Sequence, residues 1–412
     1  MKIGIDASRA NLEKRSGIEN YSLQIIKTLI GIDKSNEYIL YMREAPIREL
    51  QDLPPNVTIK VLEDTGWYRL ARKYFRLPQF WTHRLLAREL RNNPVDVLFV
   101  PGHVLPRGYT GKSVVIIHDV AYELVPEVYS FIQRAYLRWS TRQALTRATR
   151  VVTVSEKTRQ DLVTYYQADA DRIQVCYPGY NSGLYRPADT DIIQAARRKY
   201  GLDKPYICFV GTIAPKKGLQ TLIEAFALFL NEKYNAQLEA ALEDALAVPS
   251  TGKEKDFSII SPDIHLVLIG KGTPEYVREM KQKAESSLVS DRVHFLGYVE
   301  DDELVALLSG ALIYVQPSLY EGFGIPVIEA MACGIPVIST DAGALLEVVA
   351  DAGLVCTAQD STSLKDALVE LISNDKKRNE MKKAGLKRSQ AFSWKRTAQD
   401  IKTIFEQISG AS

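Results

Sequence analysis

Two hydrophobic patterns alternate along the chain: short, nearly continuous apolar runs, and longer stretches with apolar residues at helical spacing. The runs predict buried parallel strands. In the first half of the chain they are Lys2–Ile5, Tyr38–Met42, Val57–Val61, Val95–Val100, Ser113–His118, Val151–Ser155 and Ile173–Cys176. In the second half they are Tyr206–Val210, His265–Ile269, Val293–Phe295, Ala311–Gln316 and Pro336–Ser339.

Stretches with helical spacing separate these runs, as in Tyr21–Ile32, Gly218–Leu230 and Glu275–Ser286. Repeated β-α units predict an α/β fold, a doubly wound parallel sheet with helices on both faces. Because each half of the chain carries such a series of units, two sheets of this kind are predicted. A chain of 412 residues is also too long for one ordinary core. Because ligands of such sheets bind beyond the carboxyl ends of the strands, we expect two Rossmann-like domains that face each other across a cleft.

The segment Tyr177–Pro187, with two glycines and two prolines, is the predicted interdomain linker. We therefore expect an N-terminal domain over 1–180, a second domain over 181–395, and a C-terminal helix over 396–412 that packs back on the first domain. Asn235–Asp263 is longer and more polar than a helix-to-strand connection needs. It predicts an inserted helix followed by a flexible loop.

Composition and charge narrow the class of protein. Apolar residues make up 46% of the chain and charged residues 25%, which is typical of a soluble globular protein. Met1–Asp6 lacks the apolar stretch of a signal peptide, and no window reaches the ~20 apolar residues of a membrane-spanning helix. A cytoplasmic location is therefore expected. The four cysteines show no CxxC spacing, which argues against a zinc site or a disulfide framework.

Positive charge is concentrated in the first half of the chain. Residues 1–185 carry 26 Lys and Arg against 19 Asp and Glu, whereas the remainder has 26 against 31. The basic half favours an anionic partner, and the acidic half argues against a general nucleic-acid-binding protein. Trp67–Arg91 combines seven Lys and Arg with six aromatic residues. This segment predicts contact with an anionic membrane surface, or with the acceptor, at the inner face of the cytoplasmic membrane. The alternative is a helix with a solvated face and a packed aromatic side.

The strongest local motif is the segment from Gln316 to Gly334, QPSLYEGFGIPVIEAMACG. A strand ends near Gln316, a loop with two glycines follows, and Pro326 suits the first turn of a helix that Gly334 would end. The loop and the helix N-terminus would offer N–H groups to an anion or to hydroxyls. Glu321 and Glu329 flank this loop, although acidic residues there could instead only stabilise the helix dipole.

A second motif, Val210–Gly218 (VGTIAPKKG), lies between a strand and a helix. Lys216 and Lys217 at a helix start oppose the helix dipole, and a bound diphosphate would resolve the conflict. Two solvated lysines are the alternative. A further candidate is His118, at the end of a buried strand and thus at the predicted ligand edge, where it could equally be structural.

Weaker signals are the Gly17 turn before the first long helix, which lacks the full GxGxxG pattern, and two Asp-x-Asp strings. The strings, Asp169–Asp171 and Asp189–Asp191, lie in connecting segments away from the predicted strand ends. A divalent metal needs several converging oxygens, so no metal site is predicted there.

Taken together, these motifs resemble those of the retaining GT-B glycosyltransferases of family 4, the group 1 glycosyltransferases that include mannosyltransferases. The resemblance covers nearly the whole chain. It rests on the E-x7-E pattern of Glu321 and Glu329 within PSLYEGFGIPVIEAMACGIPVIST, on GTIAPKKG, on the His-Asp pair after a strand, on TVSEKTRQDL, and on FLGYVEDDELVALLSGA, all in the family's order.

The resemblance implies roles for individual residues. His118, Lys217 and Glu321 would be catalytic, with Glu321 holding a sugar hydroxyl. The remaining donor-binding residues would be those of the phosphate-binding turns (Gly17, Gly211, Thr212 and Lys216), the base-binding segment (Tyr298 and Val299), the loop N–H groups (Phe323, Gly324 and Ile325), and the ribose-binding carboxylate (Glu329). Three features depart from the family: Thr212 replaces a frequent Arg, Pro178–Asn181 replaces the usual Asn-Gly, and the Asn235–Asp263 segment is atypical.

The expected reaction transfers a hexose from a nucleotide sugar to a glycan or lipid-linked acceptor, with no metal and no cofactor. The family is described as reacting on one face through an ion-pair-like state, in which the leaving phosphate accepts the acceptor's proton. GDP-mannose is the first expectation for the donor and a UDP-sugar the second. The alternatives are a nucleotide-sugar 2-epimerase or hydrolase on the same fold, and a non-catalytic binding subunit. The sequence does not indicate the oligomeric state.

Overall fold

The computed structural model describes residues 1–13, 15, 17–63, 80–246 and 263–410. They form two compact units. Met1–Tyr180 and Phe392–Ser412 make up the first, and Asn181–Ala391 makes up the second. The chain passes into the second unit after Tyr180 and returns to the first unit after Ala391. The predicted boundaries fall after residues 180 and 395.

The first unit contains a seven-stranded sheet whose described strands are all parallel. The strands are β1 (Lys2–Asp6), β2 (Glu37–Met42), β3 (Val57–Val61), β4 (Val97–Val100), β5 (Ser113–Ile117), β6 (Arg150–Thr153) and β7 (Ile173–Val175). Their order is β3-β2-β1-β4-β5-β6-β7. From β1 the chain proceeds outward to β2 and β3 on one side, and from β4 it proceeds outward to β5, β6 and β7 on the other. The topological switch point therefore lies between β1 and β4.

The described helices of the first unit are α1 (Gly17–Ile32), a π-helical turn (Trp81–Leu86), α2 (Ala87–Asn92), α3 (Ala121–Leu124), α4 (Phe131–Arg147), α5 (Glu156–Tyr166) and the C-terminal helix (Trp394–Ser409). The C-terminal helix buries one apolar face, on which Ile404 and Phe405 are fully buried. The Phe405 and Phe99 ring centroids lie 5.5 Å apart, and the Thr397 hydroxyl donates to the Tyr177 carbonyl at 2.6 Å. These contacts anchor the end of the chain in the first unit.

The second unit contains a six-stranded sheet, also parallel throughout its described strands. The strands are β8 (Tyr206–Val210), β9 (His265–Ile269), β10 (Val293–Gly297), β11 (Ile313–Gln316), β12 (Val337–Thr340) and β13 (Leu354–Cys356). Their order is β10-β9-β8-β11-β12-β13. The switch point lies between β8 and β11, the two strands that precede the lysine and glutamate motifs.

The described α-helices of the second unit are α6 (Thr190–Lys199), α7 (Leu219–Leu246), α8 (Pro274–Ser286), α9 (Asp301–Ser309), α10 (Ile325–Ala332), α11 (Leu345–Val349), α12 (Ser361–Ile372) and α13 (Asp375–Ser389). Fully buried Phe209 on β8 and Phe226 and Phe229 on α7 belong to one core cluster. No described helix combines the length and the apolar composition needed to cross a bilayer.

The predicted pair of parallel α/β sheets is confirmed, and two local predictions are corrected. The strand β13 was missed because its apolar run, Leu354–Cys356, is only three residues long. The predicted break in the helix after Leu230 is wrong. One helix continues to Leu246, because Leu219–Leu246 contains no Gly or Pro and is rich in good helix formers. The remainder of the proposed insertion, residues 247–262, lies outside the described residues.

Candidate active site

The loop after β11 places Glu321 in a buried polar network. Glu321 is 7% exposed, and its Oε1 accepts hydrogen bonds from the Ser318 hydroxyl at 2.7 Å and the Gln316 amide at 3.2 Å. The same Gln316 amide donates to the Ser318 hydroxyl oxygen at 2.7 Å. Every hydrogen bond that the described residues make to this carboxylate ends on Oε1. The carboxylate is therefore held by one oxygen, and Oε2 remains available to accept from a ligand.

The lysine motif meets this network from the loop after β8. The Leu319 N–H donates to the Lys216 carbonyl at 2.9 Å, which ties the two loops together. The Lys217 ammonium forms an ion pair with Glu321 Oε1, and its side chain is 15% exposed. Gly218 has φ 66°, and a Cβ there would lie 1.9 Å from the Pro317 carbonyl oxygen, so only glycine permits this approach.

The two lysines do not lie at an α-helix start, as the sequence analysis expected. Pro215–Lys217 form a short 3₁₀ turn, and α7 begins at Leu219. The left-handed Gly218 separates the turn from the helix and directs Lys217 toward Glu321. The conflict with the helix dipole is therefore smaller than predicted, and in this structure the partner of Lys217 is a carboxylate.

Opposing effects determine the protonation of Glu321. Burial would raise its pKa, but the charges of Lys217 and Lys216, with hydrogen bonds from Lys217 and Ser318, outweigh burial and lower the pKa below its ordinary value. Glu321 is therefore ionised at neutral pH. An ionised carboxylate can accept hydrogen bonds from sugar hydroxyls, and the lysines keep the site from being net negative.

The helix α10 begins immediately after this loop, as predicted. Gly324 precedes it with φ 108°, Pro326 lies in its first turn, and Gly334, with φ 74°, follows its end. The first N–H groups of an α-helix have no partner within the helix, and the dipole makes that end favourable for anions. Phe323, Gly324 and Ile325 thus lie where their backbone can meet a phosphate or a sugar oxygen.

Glu329 lies one turn inside α10 and is 9% exposed. Burial and the negative charge of Asp301 raise its pKa to about 8, against the effect of a hydrogen bond with Tyr185. Its surroundings therefore differ from those of Glu321. One carboxyl of the E-x7-E pattern is ionised beside lysines, whereas the other is largely protonated at pH 7.

Three glycine turns pack together where β8, β9 and β10 end. Gly211, Gly270 and Gly297 all have positive φ, and the Gly270 N–H donates to the Gly297 carbonyl at 2.8 Å. A Cβ on Gly270 would lie 1.8 Å from the Gly211 carbonyl oxygen. After these turns, Thr212 is exposed. Among the residues of the predicted base-binding segment, Tyr298 is 57% exposed and Val299 is buried.

Within the first unit, His118 directly follows the end of β5. Its Nε2 lies 2.8 Å from the Pro101 carbonyl oxygen, and the ring centroids of His118 and Tyr21 lie 4.6 Å apart with the rings nearly perpendicular, at 87°. Burial lowers the pKa of His118, so its imidazole is neutral at pH 7. Gly17 is the first residue of α1 and not part of a turn before it, because the helix begins four residues earlier than the predicted start at Tyr21.

Known proteins match the chain across both units. The model for Glycosyltransferase Family 4 matches residues 15–183, and the model for Glycosyl transferases group 1 matches residues 247–388. The O-antigen chain mannosyltransferase B of Escherichia coli is 27% identical over 92% of this chain and 93% of its own length. Two D-inositol 3-phosphate glycosyltransferases of Corynebacterium are 30% identical over 61% of this chain and about half of their own length.

Solved structures agree in fold over the whole chain. Sucrose-phosphate synthase from Thermosynechococcus elongatus gives a TM-score of 0.75 at 21% identity and covers 100% of both chains. HepE of Anabaena, in complex with UDP-glucose, gives 0.72 at 20% identity and covers 99% of this chain and 100% of its own. The chain is a group 1 glycosyltransferase with the GT-B fold.

In this glycosyltransferase the two Asp-x-Asp strings lie at the starts of short helical elements, and only Asp169 caps one with its side chain. The Asp169 carboxylate caps a 3₁₀ turn by accepting from the Asp171 N–H at 3.0 Å, and Asp189 is the residue before α6. Across the described ranges, no three His, Cys, Asp or Glu side chains are grouped so as to hold a metal ion.

The basic, aromatic segment Trp67–Arg91 is only partly visible, because residues 64–79 lie outside the described residues. Of its aromatic residues, Trp81 is 1% exposed, and its indole N–H donates to the Leu62 carbonyl at 2.8 Å. Trp81 is therefore part of the core and not of an interfacial surface, which favours the packed-helix alternative for this end of the segment.

Four residues around the site of this glycosyltransferase were not predicted from the sequence. Ser318 and Gln316 hold Glu321, Tyr185 meets Glu329, and the Lys271 ammonium lies 4.6 Å from the Tyr298 ring centroid. Ser318 and Gln316 fall within the motif that drew attention to Glu321, and their two-residue spacing on an extended segment could have placed both on one side. No comparable signal marked Tyr185 or Lys271.

Proposed function

We propose that this glycosyltransferase moves a hexose from a nucleotide sugar to a glycan or lipid-linked acceptor, with retention at the anomeric carbon and without a metal ion. The observation that carries the proposal is the meeting of two loops at the switch point between β8 and β11. One loop brings Lys216 and Lys217, and the other brings Glu321 and the N-terminus of α10. Cations and N–H donors for a diphosphate thus lie beside a carboxylate for a sugar.

The positive groups would stabilise the leaving diphosphate. Cleavage of the donor builds negative charge on the phosphate and positive charge on the sugar. Fixed charges of the enzyme accelerate the reaction most when they stabilise charge that develops in the transition state. The ammonium of Lys217 would turn from Glu321 toward the phosphate or contact both. Thr212, Gly211 and Lys216 complete the turn, and no divalent cation is required by this arrangement.

Glu321 would position the sugar through Oε2. Oε1 is occupied by Ser318, Gln316 and Lys217, so a hydroxyl can reach the carboxylate only at the other oxygen. We assign Glu321 to hydroxyl binding and not to nucleophilic attack, because a carboxylate paired with an ammonium is a weak nucleophile. The leaving phosphate would accept the proton of the acceptor hydroxyl on the same face, which retains the anomeric configuration.

Mannose is the first choice of sugar and GDP the first choice of nucleotide. The relative in Escherichia coli that matches the chain over most of its length is named a mannosyltransferase. HepE was solved with UDP-glucose, which supports a UDP-sugar as the second choice. Glu329 would bind the ribose, and Tyr298 and Val299 would pack against the base.

Donor turnover and product configuration test the proposal. The purified enzyme is incubated with GDP-mannose, GDP-glucose, UDP-glucose and UDP-galactose, with mannose-containing acceptors, and with EDTA or Mn²⁺. We expect GDP-mannose to be consumed equally with and without EDTA, and NMR to show an α-linked product from the α-linked donor. Strict Mn²⁺ dependence or a β-linked product would refute the mechanism. The Glu321→Ala variant should lose most transfer.

The same assay separates the rival functions. A nucleotide-sugar 2-epimerase or hydrolase would convert the donor fully when no acceptor is present, whereas a transferase needs the acceptor for rapid turnover. A non-catalytic subunit would bind nucleotide without turnover in either condition. Membrane contact is a separate proposal, tested by co-sedimentation with vesicles containing anionic lipid at low and moderate salt; absence of binding at both would refute it.

A further inference from the structure

We propose that His103 is the positioning residue for His118: it holds the loop that fixes the tautomer of the His118 ring. This inference rests on the proposed role of His118 in contacting the sugar. His103 follows Pro101 and Gly102 directly after β4, at the switch point of the first unit. The loop therefore lies at the sheet edge where ligands of such folds bind.

The backbone of His103 is strained. Its φ is 77°, in the left-handed region, where residues with a Cβ pay about 1–2 kcal/mol. Glycine would adopt this conformation at no such cost. Strain of this kind persists where the surrounding structure requires it, and it is concentrated at functional sites. The side chain of His103 must therefore contribute something that glycine could not.

The His103 side chain makes a hydrogen bond with a residue of a helix, α4, and this contact anchors the loop. His103 Nε2 lies 2.9 Å from the Thr141 hydroxyl on α4, and Thr141 is fully buried. The Thr141 hydroxyl lies 2.6 Å from the Tyr122 hydroxyl, which in turn lies 2.9 Å from the Tyr166 hydroxyl. Tyr166 lies within 2.7 Å of the Glu123 carboxylate. The ring of His103 thus ends a continuous polar chain that runs into the body of the first unit.

The loop that His103 anchors also holds His118. The Pro101 carbonyl, two residues earlier, lies 2.8 Å from His118 Nε2. A carbonyl can only accept, so Nε2 must carry the hydrogen. In the neutral ring Nδ1 is then an acceptor, and it makes no hydrogen bond to any of the described residues. His118 is prepared in this way to accept from a sugar hydroxyl.

The electrostatics agree with this arrangement. Burial lowers the pKa of His103 to about 4, and it also lowers the pKa of His118. Both rings are neutral at pH 7, so each has one donor and one acceptor nitrogen. A neutral His118 ring has two possible tautomers, and the Pro101 carbonyl selects the one with the hydrogen on Nε2.

The test replaces His103 with residues that accept its backbone conformation. His103→Gly removes the ring and relieves the strain. His103→Asn tolerates the left-handed region and retains a hydrogen-bonding side chain, so it is the rescue variant. Thr141→Val leaves His103 in place and removes the hydroxyl that anchors it, together with the contact of that hydroxyl with Tyr122. The readouts are the ¹⁵N NMR signals of the His118 ring, which can be assigned because the chain has five histidines, and kcat and KM for the donor.

We expect His103→Gly to convert the His118 signals from the Nε2-H tautomer to a mixture and to lower kcat on the order of 10- to 100-fold with little change in KM. Thr141→Val should change the His118 signals and kcat in the same direction but by less. His103→Asn should restore the signals and kcat in part. Unchanged His118 signals in both His103→Gly and Thr141→Val would overturn the proposal. A fully active His118→Ala enzyme would instead refute the sugar-binding role of His118, and the NMR signals would still test its coupling to His103.

Discussion

The ammonium of Lys217 and the carboxylate of Glu321 form an ion pair across the loops that follow β8 and β11. The two residues are 104 positions apart in the chain. Their side chains are 15% and 10% exposed, so the pair is shielded from most of the solvent. This pair joins the part of the site that should bind phosphate to the part that should bind sugar.

The first prediction concerns the stability of this pair. Lys217→Met and Glu321→Gln should each lower the free energy of unfolding, because each leaves one charged group poorly compensated in a largely buried place. The double variant should lose less than the sum of the two. A double-mutant cycle by denaturant unfolding should give a coupling of about 1–3 kcal/mol. Additive losses would show that the two charges do not interact in solution.

The second prediction concerns nucleotide binding. Lys217→Met should weaken the binding of GDP by about 10- to 100-fold, the usual worth of a hydrogen bond to a charged group. Glu321→Gln should not weaken it, because the lysine loses a competing partner. Isothermal calorimetry measures both, with Lys376→Met on α13 as the control for loss of an exposed lysine. Equal affinities for wild type and Lys217→Met would contradict the assignment.

The third prediction separates positioning of Glu321 from general stability. Ser318→Ala removes the hydroxyl that donates to Oε1, and it should lower kcat on the order of 10- to 100-fold, because small displacements of a reacting group are costly. Thr340→Val is the matched control, because the Thr340 hydroxyl donates to the Ser318 carbonyl at 2.7 Å and does not contact the carboxylate.

Both variants should lose about 1 kcal/mol of stability, the typical worth of one hydrogen bond. Only Ser318→Ala should lose most of its kcat, and Ser318→Thr, which keeps the hydroxyl, should recover it. If Thr340→Val reduces kcat as much as Ser318→Ala does, the effect comes from the loop as a whole and not from the contact with Glu321.

The fourth prediction is a pH dependence of stability that arises from Glu329. Its pKa is about 8 in the folded protein and near 4.5 when unfolded. Between these values the folded state holds a proton that the unfolded state has lost, so the free energy of unfolding falls as pH rises. Glu329→Gln cannot titrate. The Tm of this variant minus the Tm of wild type should therefore increase from pH 5 to pH 9, and a constant difference would refute the assignment.

The fifth prediction uses two glycines with the same backbone conformation. Gly201 and Gly343 both have φ 66°, but a Cβ on Gly201 meets nothing within 4 Å, whereas one on Gly343 would lie 2.2 Å from the Glu321 carbonyl oxygen. Gly201→Ala should cost about 1 kcal/mol from backbone strain alone. Gly343→Ala should cost about 3 kcal/mol or more and should also lower activity. Similar losses in the two variants would show that the loop can move away.

The fold was largely predictable because burial marks each strand separately. Every predicted strand corresponds to an observed one, since short, nearly continuous apolar runs such as Val114–Ile117 are typical of buried parallel strands. The strand β13 was not predicted because its apolar run is only three residues long, shorter than that of most strands. The extent of α7 was missed because polarity, which changes near Asn235, is a weaker guide to helix ends than Gly and Pro are.

The resemblance to the family predicted some residues of the candidate site, such as Tyr298, and a turn, a helix start or a strand end made others unusual in themselves. Glu321, Lys216, Lys217 and Gly324 stood out for that reason. Ser318 and Gln316 carry no such signal of their own, and His103 looks like an ordinary loop residue until its positive φ is measured. Their importance comes from partners elsewhere in the chain, such as Thr141 for His103.

The sequence by itself determined the two parallel sheets, the family, and the segments that carry the charged groups, because hydrophobic period and turn chemistry are local properties. Only the tertiary structure decided that Lys217 pairs with Glu321, that one oxygen of that carboxylate is already occupied, and that Glu321 and Glu329 differ in protonation. These features depend on the pairing of β8 with β11 and on burial, which bring distant residues within hydrogen-bonding distance and change the stability of their charges.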